Sequence, residues 1–127
     1  MENESLIKIA SLEQHYKQMQ ENLALVDNQI LELGQFKESL LHIINTKEKE
    51  MLSSLGKGIH IKTLIDNKNK LYVHVGANVI VKKTPQETLK VLDNQITIFK
   101  EARLQIAAQL NNYAEQLNTL VSQIENQ

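Results

Sequence analysis

The sequence predicts a mainly α fold, a long antiparallel coiled-coil hairpin with two β-hairpins at its bend that join an oligomeric β-barrel. Two heptad runs of apolar residues flank a glycine-punctuated segment, and that segment contains a short repeat. The apolar spacing alternates between three and four, which is typical of a coiled coil. The first stripe comprises Ile9, Leu12, Tyr16, Met19, Leu23, Val26, Ile30, Leu33, Leu40 and Ile44. The second stripe comprises Leu89, Leu92, Ile96, Phe99, Ile106, Leu110, Tyr113, Leu117, Leu120 and Ile124.

The first helix is predicted over residues 5–50 of a single domain that covers residues 1–127. Gly34 interrupts this helix, and a glycine there costs about 1 kcal/mol relative to alanine. We therefore expect a bend or a close approach of the two helices at this position. Lys37 stands where the first stripe would place an apolar residue. This interruption predicts a local shift of the seam rather than the end of the helix.

The second helix is predicted over residues 84–127. Thr84 suits the N-cap, Pro85 suits the first helical position, and Glu87 completes a capping box. The connecting segment is too short for parallel helices, so the two helices must fold back on each other. Arg103 interrupts the second stripe as Lys37 interrupts the first. We interpret both as polar core positions that fix the helix register, with a contact site inside a cavity as the alternative.

Residues 51–83 contain two copies of one pattern, offset by twenty residues. Leu55–Lys62 and Val75–Lys82 each begin with an apolar residue and a glycine, continue with β-branched residues, and end in lysine. Glycine and asparagine tolerate the positive φ that tight hairpin turns require. The predicted strands are residues 51–55 paired with 59–65, and residues 71–75 paired with 79–83. The polar stretch Asp66–Lys70 is the predicted turn between the two hairpins.

These hairpins cannot satisfy their own strand edges. A two-stranded hairpin is marginal in water, and each one leaves open backbone groups and exposed apolar side chains. We therefore expect hairpins from several chains to pair into a shared sheet or barrel. The residues predicted to mediate this oligomerisation are Leu52, Leu55, Ile59, Ile61, Leu64, Leu71, Val73, Val75, Val79 and Val81.

Composition narrows the function classes. The formal net charge is −1 and cysteine is absent, which argues against general affinity for nucleic acid or acidic membranes and against disulfide chemistry. No secretory signal or bilayer-spanning run is recognisable, so we expect a soluble cytoplasmic protein.

His60 and His74 lack cysteines or a defined carboxylate beside them, so we expect no metal, no cofactor and no enzymatic activity. Nucleic-acid binding through the lysine-rich middle is a weaker alternative, since Tyr72 is its one aromatic residue.

The order helix, hairpin, hairpin, helix resembles the prefoldin family, and specifically its α type as found in archaea. The resemblance covers essentially the whole chain, and two hairpins rather than one distinguish the α type from the β type. Ser53 and Ser54 stand where family members often have a proline, which leaves the limits of that strand less defined. The most specific matching residues are Val73, Val75, Gly76, Val79, Val81, Lys83 and Thr84.

The resemblance implies an ATP-independent chaperone, a hexamer of two α-type and four β-type subunits that captures unfolded chains and delivers them to a group II chaperonin. Unfolded clients would bind at the distal tips, where fraying helix ends uncover stripe residues. The alternative for the tip residues is that they are ordinary coiled-coil core. The alternative for the whole chain is a filament-forming scaffold. The predicted tip residues are Leu6, Ile7, Ile9, Leu12, Leu117, Leu120, Val121 and Ile124.

Overall fold

The structure, a computed structural model, describes residues 2–126 and consists of two long helices separated by two β-hairpins. This architecture confirms the predicted order of elements. The elements are α1 (Glu2–Asn45), β1 (Glu50–Gly56), β2 (Ile59–Leu64), β3 (Leu71–Gly76), β4 (Val79–Lys83) and α2 (Pro85–Glu125).

The chain divides into two compact units. The helical unit comprises Met1–Glu32 and Ile96–Gln127, and the hairpin unit comprises Leu33–Gln95. In the helical unit, the His15 ring stacks on the Tyr113 ring with centroids 5.9 Å apart. Asp27, later in α1, pairs with Arg103, earlier in α2, so the two helices are antiparallel within this unit.

The two stripes form the seam between the helices. Leu12, Leu40 and Leu92 are buried, and all other members of both stripes are half-buried. None of the stripe residues is exposed, although most of the remaining helix surface is. The heptad period therefore predicted correctly which face of each helix is covered.

The first helix ends at Asn45, five residues earlier than the predicted limit at residue 50. The Thr46 N–H still donates to the His42 carbonyl oxygen, which closes the last helical turn. The Glu48 N–H then donates to Thr46 Oγ1 at 3.3 Å. Such a local bond between a hydroxyl and the backbone competes with helix continuation, and β1 begins at Glu50.

The start of α2 follows the predicted capping pattern. The Glu87 N–H donates to Thr84 Oγ1 at 3.2 Å, which satisfies one of the free donors of the first turn. The Glu87 carboxylate accepts a hydrogen bond from the Thr84 hydroxyl. Pro85 occupies the first helical position and is buried. The chain therefore enters α2 through a well-defined N-terminal cap.

The two hairpins share one turn geometry. Each is a two-stranded antiparallel sheet, β1 with β2 and β3 with β4, and each register shifts by one residue just before the turn. Lys57 and Gly58 have φ values of 57° and 77°, and Ala77 and Asn78 have φ values of 49° and 60°. Positive φ at both central residues is what a type I′ turn requires. The twenty-residue repeat in the sequence thus corresponds to a repeated turn.

Gly34 lies inside α1, and we expect that replacing it with alanine stabilises the protein. Among the described residues, no heavy atom lies within 4 Å of the position that a Cβ would occupy, so the close helix approach expected from the sequence is absent. Gly34→Ala should raise the free energy of unfolding by about 1 kcal/mol. Gly58→Ala serves as the matched control, since its positive φ should make alanine cost about 1–2 kcal/mol. Urea denaturation of both variants measures the difference, and a destabilised Gly34→Ala would contradict the expectation.

Candidate functional site

The residues predicted to mediate oligomerisation form the most exposed apolar surface of the hairpin unit. All of them are exposed except Leu71 and Val73, which are half-buried. Tyr72 and Ile80 add to this surface with exposed fractions of 66% and 54%. Exposed large apolar side chains on open two-stranded sheets mark a surface that another chain can cover.

The second hairpin, β3 with β4, has a distinctly apolar face. Val73 is paired with Val81, and Leu71 is paired with Lys83, so these side chains share one face. The opposite face carries Tyr72, with Lys82 Nζ 5.8 Å from the ring centroid. Leu71, Val73 and Val81, three of the residues predicted to mediate oligomerisation, therefore lie on the same face of this hairpin.

This apolar face of the second hairpin belongs to a pocket of about 330 Å³ within the hairpin unit. Residues of α1, β3 and α2 contribute to its wall, and the exposed Phe36 ring lies at its α1 side. The half-buried state of Leu71 and Val73 is explained by this position beside the helices. The lining residues are Phe36, Leu40, Leu71, Tyr72, Val73, His74, Thr88, Val91, Leu92 and Gln95.

The first hairpin, β1 with β2, carries apolar residues on both faces. Leu52 is paired with Lys62 and Glu50 with Leu64, which puts both leucines on one face. Ile61 is paired with Ser53 and lies on the other face. The exposed fractions are 65% for Leu52, 73% for Leu64 and 51% for Ile61. The register therefore places the two leucines and Ile61 on different faces of this hairpin.

Side-chain contacts confirm this assignment of faces. Lys62 Nζ lies 3.5 Å from Glu50 Oε2 on the leucine face. Ser53 Oγ and Thr63 Oγ1 are 2.8 Å apart on the isoleucine face. The first hairpin therefore has two faces that each expose a large apolar side chain to solvent in the isolated chain.

The predicted tip residues lie in the helical unit. A groove of about 420 Å³ is lined by Lys8 of α1 together with Leu120 and Gln123 of α2, so the start of α1 and the end of α2 lie side by side. The tip residues divide by exposure. Those exposed are Leu6, Ile7 and Val121. Those in the seam are Ile9, Leu117, Leu120 and Ile124, which are half-buried, and Leu12, which is buried.

Further exposed apolar residues lie away from the helix ends, and the sequence analysis did not single them out. Leu25 and Leu104 have exposed fractions of 66% and 68%, and Leu31 and Ile98 are exposed as well. Leu25, Leu31 and Ile98 lie one or two positions after a stripe residue, and Leu104 directly follows Arg103, which interrupts the second stripe. That offset is the signal that could have identified them. They provide large apolar side chains in the helical unit that are not at its ends.

The two cations that interrupt the stripes each pair with an aspartate of the opposite helix. Arg103 Nε lies 2.5 Å from Asp27 Oδ1 in the helical unit. Lys37 Nζ lies 2.6 Å from Asp93 Oδ1 in the hairpin unit. The heptad pattern does not identify either aspartate. Each directly follows a stripe residue, Val26 and Leu92 respectively, so the pairs could be found only after aligning the helices.

Within residues 2–126, no group of three or more His, Asp or Glu side chains is arranged to hold a metal ion. No helix in the same range has the length and apolarity needed to cross a membrane.

Comparisons with known proteins agree with the fold. A family model described as "Prefoldin subunit" matches residues 8–127. "Prefoldin subunit alpha" of Methanococcus vannielii is 23% identical over 112 residues, which cover 88% of this chain and 75% of the relative. "Prefoldin subunit alpha 2" of Thermococcus kodakarensis is 25% identical over 79 residues, 62% of this chain and 56% of the relative. A filamentous PFD from Methanocaldococcus jannaschii, solved by cryo-EM, has a TM-score of 0.79 and 19% identity over 95% of this chain and 98% of that one.

Two helices joined through two exposed hairpins define the class of chain, an oligomer-forming coiled-coil subunit. The chain belongs to the prefoldin family, and the relatives above are α-type subunits. Prefoldin is a family of chaperone subunits that assemble into oligomers, and it is not a family of enzymes.

Proposed function

We propose that this chain is the α-type subunit of an ATP-independent chaperone that captures non-native polypeptides at the ends of its helices. The observation that carries the proposal is the exposure of Leu6, Ile7 and Val121 near the start of α1 and the end of α2. Non-native chains expose apolar side chains, and burying them releases about 25 cal/mol per Å². These helix ends therefore offer apolar surface of the required kind.

Weak contacts at the helix ends suit a binder that must release its client without ATP. The last turn of a helix lacks hydrogen-bond partners, so it opens more readily than the middle. Opening would uncover the half-buried Ile9, Leu120 and Ile124 in addition to the residues already exposed. Several subunits acting together would raise the avidity without any tight single site.

Partner subunits would cover the hairpins. The first hairpin exposes apolar side chains on both faces, and each hairpin leaves its outer strand edges unpaired within the described chain. We propose a hexamer with β-type subunits, two α-type to four β-type, whose shared sheet is a barrel. Delivery of the client to a group II chaperonin in the cytoplasm belongs to the same proposal.

A filament-forming scaffold is the second candidate, since the similar structure from Methanocaldococcus jannaschii is filamentous. Filaments would use the same hairpins but would not close a ring of fixed size. Native mass spectrometry of the chain alone, and mixed with a β-type prefoldin subunit, separates the two candidates. A discrete heterohexamer supports the chaperone, whereas an open series of sizes supports the scaffold.

Removing the exposed apolar residues at the helix ends is expected to impair client capture. The triple change Leu6→Ser, Ile7→Ser and Val121→Ser should reduce suppression of client aggregation severalfold, because it removes apolar contact area. Light scattering of a chemically denatured client, diluted into the assembled chaperone, measures the effect.

The control for this experiment carries the change Leu25→Ser together with Leu104→Ser. These leucines are as exposed as the tip residues but lie away from the helix ends. The control should suppress aggregation as the parent does. Equal activity of the tip variant and the parent, at equal oligomer concentration, would contradict capture at these ends of this subunit.

A further inference from the structure

The helix pairing in this chain needs a device that fixes its register. Both stripes repeat every seven residues, so a slip of one heptad would again align apolar residues with apolar residues. The layers at the helix ends are only half-buried, so they discriminate weakly between registers. Residues that break the repeat are therefore the ones that distinguish the observed register from its neighbours.

We propose that Arg103–Asp27 and Lys37–Asp93 are register clamps that determine which apolar residues meet at the client-binding ends. In each pair the cation occupies a stripe position and reaches an aspartate of the opposite helix, and the residue numbers of both pairs add to 130. The residue numbers of His15 and Tyr113, whose rings stack, add to nearly the same value, 128. Within each unit, the ion pair thus specifies one alignment of α1 with α2.

A slipped register would break the clamp of the helical unit. With α2 displaced by one heptad in either direction, the position now held by Asp27 would be held by Gln20 or Gly34. Neither can accept an ion pair from Arg103. Arg103, whose side chain is 47% exposed in the observed register, would then lose its ion pair and stand beside the seam without a carboxylate partner.

The clamp of the hairpin unit behaves in the same way. A slip of one heptad would replace Asp93 by Gln86 or Lys100 as the residue opposite Lys37. The first leaves the ammonium unpaired, and the second places two lysines together. Each clamp therefore disfavours both neighbouring registers, which is how a polar residue in a coiled-coil core specifies alignment at little gain in stability.

The register has a direct consequence at the helix ends. Extending the alignment of the Asp27–Arg103 and His15–Tyr113 contacts to the helix ends brings Leu6 to about the height of Ile124, and Ile9 to about the height of Val121. A slip of seven residues moves one helix by about 10 Å along the other. It would leave a single bare helix end instead of two ends that present apolar side chains together. This consequence rests on the proposed function, whereas the role of the clamps in alignment does not.

The test measures the alignment itself. The chain has no cysteine, so Ala10→Cys with Asn118→Cys places two spin labels on exposed positions of the helical unit. The doubly labelled chain is diluted into unlabelled chain. Pulsed electron–electron double resonance then reports the distance between the two spin labels of one chain. The parent should give one narrow distance distribution. Adding Arg103→Leu and Lys37→Leu should produce a second population, displaced by about one heptad.

Two controls separate register from folding. Lys100→Leu removes a nearby exposed cation and should keep the single distance, as should the exchanged pair Asp27→Arg with Arg103→Asp. Leucine extends the stripes, so the melting temperature of the clamp variant should not fall. If that variant nevertheless unfolds, Asp27→Asn with Asp93→Asn removes the same clamps from their acidic side.

The proposal would be overturned if a folded variant without both ion pairs gave one narrow distance distribution equal to that of the parent. Client aggregation is assayed in parallel on the same variants. A second distance population without any change in client capture would support the role of the ion pairs in helix alignment but contradict client binding at the helix ends. The register proposal and the proposed function can therefore fail separately.

Discussion

Replacing Leu52 with glutamate, or Ile61 with glutamate, is expected to abolish assembly of the chain with its partner subunits. The two residues lie on opposite faces of the first hairpin and are exposed in the chain itself. A carboxylate buried against a partner without a counter-ion is strongly unfavourable. Each variant should weaken assembly at least about a hundredfold, which corresponds to about 2.7 kcal/mol.

Native mass spectrometry and sedimentation measure this loss, and circular dichroism should show unchanged helix content. Lys70→Glu, in the turn between the hairpins, is the control for a new acidic charge outside the strands and should assemble normally. If only one of the two face variants fails to assemble, the other face is open to solvent in the oligomer. Normal assembly of both would contradict the role of the first hairpin.

Replacing Leu92 with alanine is expected to cause the largest loss of stability among single changes in the helices. Leu92 is the most buried apolar residue described, with an exposed fraction of 7%, and it lines the pocket beneath β3. Removing its side chain loses apolar burial and enlarges that pocket, which should lower the free energy of unfolding by about 2–4 kcal/mol. Urea denaturation of the full chain measures the change.

Leu31→Ala is the matched control for that experiment, because it removes the same atoms from an exposed position of α1. Its effect should stay within about 0.5 kcal/mol, as for surface substitutions in general. Equal losses for Leu92→Ala and Leu31→Ala would mean that the seam contributes no more than the outer helix surface, contrary to the packing described above.

Periodicity predicted those parts of the structure that depend on one repeating contact. The stripes predicted which helix face is covered, because a seven-residue period leaves one face for the opposite helix. The glycines and Asn78 predicted the hairpin turns, because positive φ is tolerated by few residues. Lys57 and Ala77 also adopt positive φ, which their residue types did not predict.

Periodicity did not predict features that depend on local hydrogen bonds competing with the helix, or on the alignment of the two helices. The end of α1 coincides with local contacts of Thr46, from the Glu48 N–H and from the Lys68 ammonium, which apolar spacing does not report. The aspartates opposite Lys37 and Arg103 become visible only when the two helices are aligned. The division of Leu52 and Ile61 between two faces requires the strand register, which shifts beside the turn.

The repeated turn makes the two hairpins interchangeable in outline. The pairings Ser54 with His60 and Gly56 with Ile59 recur twenty residues later as His74 with Ile80 and Gly76 with Val79. An in-frame deletion of residues 56–75 would therefore join Leu55 to Gly76 and leave one continuous hairpin, β1 facing β4, with a native turn. A single recombination event of this kind, or the reverse tandem duplication, would interconvert a two-hairpin and a one-hairpin chain without redesigning a strand.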